Sequence, residues 1–315
     1  MKRTLLVLSI LGLLLSTTAW ARTGPYGPHK AIHMVERRFP LTPIGQFRLR
    51  FQSYKPQGLV KFKKHFYLSS AELINRKGFE NVLFEKGGRQ EKKANGRAHL
   101  FVFDKNGILH KDVHLSMGTL YHPGGMSHDG THLWIPVSEN WQYGHSMVLK
   151  VNLETLHVER VFTFDDHLAG LVVNKKKERL YAWNWSSETW YVFTLKGRLL
   201  HKQPDPIRLF DVQDAKLLPT GDILASGARH NIGGIAVLTP QFKMRHCLYL
   251  PEKSPKGLAI TNNPMDYEWK NGKFHLFFAP NDERTHLAMF HLGPTEKLPL
   301  SRWHYLHQHG QKGKN

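Results

Sequence analysis

Carboxylates, amides and imidazoles recur along the 315-residue chain at one kind of place, the two ends of short apolar runs. Ahead of such runs stand Gln57, His122, Asp166 with His167, Gln213 with Asp214, and Lys256; after the runs that follow stand Glu72, Glu139, Asn184, and Asn281 with Asp282. The oxygen-bearing members Glu72, Glu139, Asp166, Asn184, Asp214 and Asp282 are the donors that calcium or magnesium takes, and nearby histidines extend the choice to manganese or zinc. Gln57, His122, His167, Gln213 and Lys256 suit a small polar or anionic ligand. Trp141 joins them as an aromatic wall in the polar stretch Trp141-Gln142-Tyr143-Gly144-His145. The same residue types also satisfy buried strand ends, so the elements that carry them decide between site and scaffold.

Those elements repeat. The clearest copy runs from His122-Pro123-Gly124-Gly125 through the turn Asp129-Gly130 to Leu133-Trp134-Ile135-Pro136-Val137-Ser138-Glu139. Other copies open at Gly58, Gly170, Ala215 and Gly257, and each joins two strand-like runs through a turn. After a longer first interval the openings return every 40–45 residues or so, the size of a four-stranded propeller blade. The expected fold is therefore all-β, a single β-propeller of five blades. A sixth is admitted if Leu100–Asp104 and Ile108–Leu115, which also read as strands, form a degenerate blade. The alternating stretch Phe47 to Phe51 has no local partner and is expected to close the ring by completing the last blade, which removes exposed sheet edges. In a propeller the first strand of each blade lines the central channel, so the residues ahead of each run should meet at one channel mouth.

The ends differ from the middle. Lys2 and Arg3, the apolar run Leu5 to Leu15 and Ala19-Trp20-Ala21 have the layout of a secretory signal peptide. Residues 1–21 are expected to be removed, 22–43 to form an irregular leader, 44–295 the propeller and 296–315 a polar basic tail. The apolar stretch is shorter than the roughly 20 residues a spanning helix needs, and no later run reaches that length. The expectation is a periplasmic or secreted monomer with no transmembrane segment after cleavage. The single cysteine, Cys247, lies in an apolar run and reads as a core residue. Lys and Arg number 44 against 25 Asp and Glu, a formal charge of +19, which draws anionic partners. Part of the excess sits in expected turns, at Lys61, Lys63 and Lys64 and at Lys175, Lys176 and Lys177. No zinc finger, helix-turn-helix or RNA-binding signature supports sequence-specific nucleic-acid reading. Phosphate-cradling loops and the nucleophile elbow of serine hydrolases are absent too.

The stretch His122 to Glu139, followed by Val148 to Leu156 and by Asp165-Asp166-His167-Leu168-Ala169-Gly170, resembles a family of exported β-propellers. These share a His-Pro-Gly-Gly, Asp-Gly, Trp-x-Pro pattern and an Asp-His-x-x-Gly element, and no reaction is assigned to them. At greater distance the layout is similar to gluconolactonase and regucalcin-like propellers and to strictosidine-synthase-like proteins. That resemblance implies a channel metal held by carboxylates and amides, with Glu72, Glu139, Asn184 and Asp214 as topological analogues. Three functions stay open: a binder of a small polar or anionic ligand at the channel mouth, with or without a divalent metal; a metal-dependent lactonase or esterase; and a non-catalytic scaffold on an anionic cell-surface polymer.

Overall fold

The computed structural model describes residues 41–74, 96–254, 256–262, 264–270, 273–281 and 286–292. Five antiparallel sheets of four-stranded blades form a propeller. Blade one is β2 (Lys55–Phe62), β3 (His65–Leu73), β4 (Gly96–Phe103) and β5 (Leu109–His114). Blade two has an inner strand split into β6 (His122–Pro123) and β7 (Ser127–His128), then β8 (His132–Ser138), β9 (Ser146–Asn152) and β10 (Val158–Phe164). Blade three is β11 (Leu168–Asn174), β12 (Arg179–Asn184), β13 (Thr189–Thr194) and β14 (Leu199–Pro204). Blade four is β15 (Asp211–Leu217), β16 (Ile223–Arg229), β17 (Ile232–Leu238) and β18 (Met244–Leu250). Blade five is β19 (Met265–Lys270), β20 (Lys273–Phe278) and β21 (His286–Leu292), with β1 (Leu41–Arg48) as its outermost strand.

The residues of each strand show its place in the blade. Middle strands are buried on both faces and read as continuous apolar runs, as in Leu133 to Val137 and Leu180 to Trp183. Outer strands such as β10, β14 and β18 alternate or are polar, because one face meets solvent. Cys247 sits on that outward side of β18 and is exposed, not in the core, because the alternation of β18 turns Leu248 inward. The core is a set of five seams between neighbouring blades. One joins Leu100, Val102 and Val60 of blade one to Ile135, Val137 and Leu149 of blade two. Another joins Leu59, Phe66 and Phe103 of blade one to Phe277 and Leu287 of blade five, with Phe47 of β1 packed against them.

Several boundaries differ from the sequence expectation. The first strand begins at Leu41, inside the segment read as leader, and ends at Arg48 rather than running on to Phe51. Leu100–Asp104 and Ile108–Leu115 coincide with β4 and β5, the third and fourth strands of blade one, so among the described residues there is no sixth blade. In blade five the inner strand is Met265–Lys270; Leu258 to Ile260 instead form a turn bridged to Lys253. The glycine pattern misled there because Gly257 has a φ of 77° and closes a turn rather than opening a strand. Residues 1–40 and 293–315, with the expected signal peptide and tail, lie outside the described residues.

The His-Pro-Gly-Gly element is a close approach of two backbones. Gly125 donates its N–H to the carbonyl of Ala169 (2.8 Å) and accepts from Leu171 N–H (3.1 Å), so the inner segments of blades two and three run side by side. A Cβ on Gly124 would lie 2.2 Å from the Ala169 oxygen. Gly170 is tighter still, since its Cβ would fall 2.1 Å from the buried indole of Trp183, whose Nε1 donates to the Val212 carbonyl. Gly170→Ala is accordingly expected to lower stability by about 1–3 kcal/mol, read as a lower denaturation midpoint in urea at unchanged slope.

Candidate functional site at the channel mouth

The chain direction of the inner strands brings their starts, and the ends of the second strands, to one face. There β6, the connection after β8, the Asp166-His167 pair before β11 and the 3-10 turn Trp185–Ser187 converge. His122 and His167 have ring centroids 5.3 Å apart, and the indole of Trp185 lies against both, at 4.6 Å from His167 and 6.1 Å from His122. Ser186 and Ser187 hold the turn that carries Trp185, with φ of 59° and 51°. Such left-handed backbone at non-glycine residues is strained and gathers at functional sites.

The two imidazoles differ in what holds them. His167 Nδ1 donates to the Glu139 carbonyl at 2.6 Å. A carbonyl only accepts, so Nδ1 carries the proton and Nε2 carries the lone pair. Burial lowers the His167 pKa to about 4, although the Glu139 and Trp141 backbone and the Asp166 and Glu139 carboxylates pull the other way. His122 is pushed well below the usual histidine value, first by burial and then by the charges of His167 and Lys55. Both rings are therefore neutral near neutral pH. His122 Nδ1 is buried and has no hydrogen-bond partner. Such an orphan is uncommon in a folded chain, where buried polar atoms are almost always paired.

The oxygen residues around the mouth are committed. Asp166 accepts from the His167 amide (2.8 Å), from Asn184 Nδ2 (3.0 Å) and from the Tyr191 hydroxyl (2.5 Å), while Asn184 Oδ1 accepts from Thr189 N–H. Glu139 accepts from the Thr119 hydroxyl (2.8 Å) and the His145 amide (2.9 Å). These groups brace the loops that carry His167 and Trp141. On the blade-four side Asp211 accepts from Gln213 Nε2 at 2.9 Å, and burial raises its pKa to about 6.

Asp214 lies deeper, in the shaft. Its Oδ2 accepts from Leu59 N–H of blade one (3.1 Å) and Met265 N–H of blade five (3.2 Å). Its Oδ1 accepts from its neighbour Ala215 N–H (2.9 Å) and from Lys216 Nζ (2.6 Å). Lys216 also donates to the Met126 carbonyl of blade two at 2.6 Å, and Asp266 accepts from Lys61 N–H at 2.5 Å. Asp214, Lys216 and Asp266 thus bind four blades together and fill the shaft below the mouth.

Of the residues singled out in the sequence, His122, His167, Trp141, Glu139, Asp166 and Asn184 come together. Gln57 and Gln213 are half-buried on the inner strands of blades one and four, Gln57 bonding to the Lys55 carbonyl. Glu72 lies out in blade one, against Arg97 (3.5 Å) and His99 (3.4 Å). Lys256 sits in an exposed turn before the displaced inner strand, and Asp282 falls outside the described residues. The five described among the expected oxygen ligands therefore do not form one cluster, and among the described residues no group of three or more His, Cys, Asp or Glu is arranged to hold a metal ion. Lys55, Asp211, Lys216 and Asp266 were not singled out. Asp214 and Lys216 are two apart on an inner strand and so share its channel face, a signal that the sequence did carry. Asp266 was hidden by the misplaced start of blade five. Trp183 and Trp190 pack between blades with centroids 5.3 Å apart, whereas Trp185 faces the histidines.

A search of the curated proteins finds no match to this chain. Among solved structures it is similar to a luciferin-regenerating enzyme, at 8% identity over 80% of this chain and 97% of that one, with a TM-score of 0.46. It is likewise similar to a regucalcin from Agrobacterium tumefaciens str. C58, described as a calcium-binding protein, at 10% identity over 82% and 98% with a TM-score of 0.45. Residues 40–292, which span all five blades, match a family of unknown function, and the chain belongs to that family, DUF6454.

Proposed function

We propose that the protein binds a small polar or anionic ligand at the channel mouth, seated over Trp185 and hydrogen-bonded by His122 and His167. The orphaned Nδ1 of His122 carries this reading: a buried polar atom without a partner costs about 1–3 kcal/mol, and a ligand atom would satisfy it. Lys55, whose charge reaches His122, favours an acidic ligand. The exported setting expected from residues 1–21 makes a sugar acid, a hydroxy acid or an inorganic oxyanion the first candidates. A divalent ion in this mouth would rest on imidazole nitrogen rather than on the committed carboxylates, which favours manganese or zinc over calcium or magnesium.

Thermal-shift and calorimetric titration with a panel of these acids, phosphate and the four metals is the test. At least one compound is expected to stabilise the wild type and to leave His122→Leu unmoved; equal shifts in both proteins would end the reading. Hydrolysis of a lactone or ester is a second reading, favoured by the lone pair fixed on His167 Nε2. With a pKa of about 4 that nitrogen is a weak base near neutrality, which places hydrolysis behind binding.

A further inference from the structure

We infer that the face opposite the mouth docks on an anionic lipid surface. The turns joining first to second strands, and third to fourth strands, all emerge on that face. The first set carries Lys63 and Lys64 between β2 and β3, Lys175, Lys176 and Lys177 between β11 and β12, and Lys270 at the end of β19, all exposed. The second set adds exposed Lys105, Lys196 and Lys243. None of these nine lysines forms an ion pair with a described residue. Three of the acids on this face are occupied: Asp129 accepts from Trp134 Nε1 and the His132 amide, Asp104 from the Asn106 and Ile108 amides, and Asp222 pairs with Arg245 of β18, which leaves the exposed Glu154 and Glu178 against nine lysines. The described loops of the mouth face are balanced instead, with Asp165, Glu188, Asp205 and Asp211 set against Arg208, Arg229, Lys253 and Lys256. One end of the described propeller therefore carries an arc of exposed cations on blades one, three, four and five.

The arrangement suits a plane of headgroups better than a single polymer strand. Apart from Arg198, the exposed cations are lysines spread over four blades, point charges on flexible stems, rather than an arginine-lined groove with aromatic platforms that a linear polyanion would follow. Between blades three and four the same face has a depression of about 330 Å³, lined by Lys177 and Arg179 at its rim and by Tyr181, Val192 and Pro240. That combination accepts one phosphate-bearing headgroup with its apolar base. Docking in this orientation leaves the ligand mouth facing away from the surface.

Flotation of the full chain with vesicles of phosphatidylcholine mixed with phosphatidylglycerol, against phosphatidylcholine alone, tests the proposal. The quadruple variant Lys63→Gln, Lys64→Gln, Lys176→Gln, Lys177→Gln is compared with the mouth-face control Arg229→Gln, Lys253→Gln. Each lysine near such a surface is worth about fivefold in affinity, so the quadruple variant is expected to lose about a hundredfold or more and the control little. Binding of the wild type should also fall with added salt. Equal binding by the quadruple variant, equal binding to phosphatidylcholine alone, or capture by heparin without binding to phosphatidylglycerol vesicles would each overturn the proposal, the last in favour of a soluble polyanion.

Discussion

Replacing Lys216 with methionine is expected to lower the unfolding free energy by about 3–5 kcal/mol at mildly alkaline pH, the usual cost of leaving a buried charge without its partner. The expected loss is distinctly smaller near pH 5. Lys216 is 3% exposed and sits between the Asp214 carboxylate and the Met126 carbonyl. Burial raises Asp214 to about 6 and Asp266 to about 7, while the Lys216 charge pulls both back down. Both folded values lie above the unfolded value near 3.9, so the folded chain holds protons that the unfolded chain has released. That contribution to stability is fully present below about pH 3.9 and fades as pH rises through about 6 and 7. Without Lys216 the two carboxylates at alkaline pH must either stay ionised with no cation in the shaft or take up protons from a solvent that holds few, and either course carries the penalty. At pH 5 both are largely protonated, and what is lost is chiefly the hydrogen bond to Met126. Denaturant titrations of wild type and variant at the two pH values measure the difference; an equal loss at both would mean that the lysine serves packing alone.

The same shaft shows which parts of the molecule were legible in the sequence. Blade spacing, the inward run of each middle strand and the tight His-Pro-Gly-Gly approach follow from local pattern, because strand alternation and glycine sterics act over a few residues. The meeting of His122 with His167 was also readable, since both precede an inner strand and topology brings such positions together. What each side chain does there was not. Glu139, Asp166 and Asn184 have the chemistry of metal ligands, and their actual bonds go to Thr119, Tyr191, Thr189 and backbone amides, partners set by loop geometry that composition does not reveal. Glu72 shows the limit most plainly. It ends a second strand as Glu139 does, but Arg97 and His99 on the next strand draw it away from the mouth. In blade five a turn glycine at Gly257 imitated the start of a strand, and Asp266 was lost from view with it.

At the mouth the second large effect runs opposite to the usual direction for a buried residue: His122→Leu is expected to stabilise the protein while abolishing ligand binding. Leucine is close to histidine in volume and leaves no polar atom behind, so the variant recovers the cost of the unpartnered Nδ1, about 1–3 kcal/mol at neutral pH. The gain should widen on acidification. His122 has a folded pKa well below 6.5, so the stability tied to its neutral ring is present above the unfolded value and is lost as pH falls and the unfolded chain takes up a proton that the folded chain refuses. Leucine has no such proton to refuse. His167, lowered to about 4 by the same burial, keeps its own acid sensitivity in the variant. Urea midpoints at pH 7 and pH 5, read beside the binding titration, separate the alternatives. A histidine kept for packing would make the variant less stable at both pH values. A histidine kept for a ligand makes it more stable and inert, the trade expected where a site holds an unsatisfied group ready for its partner.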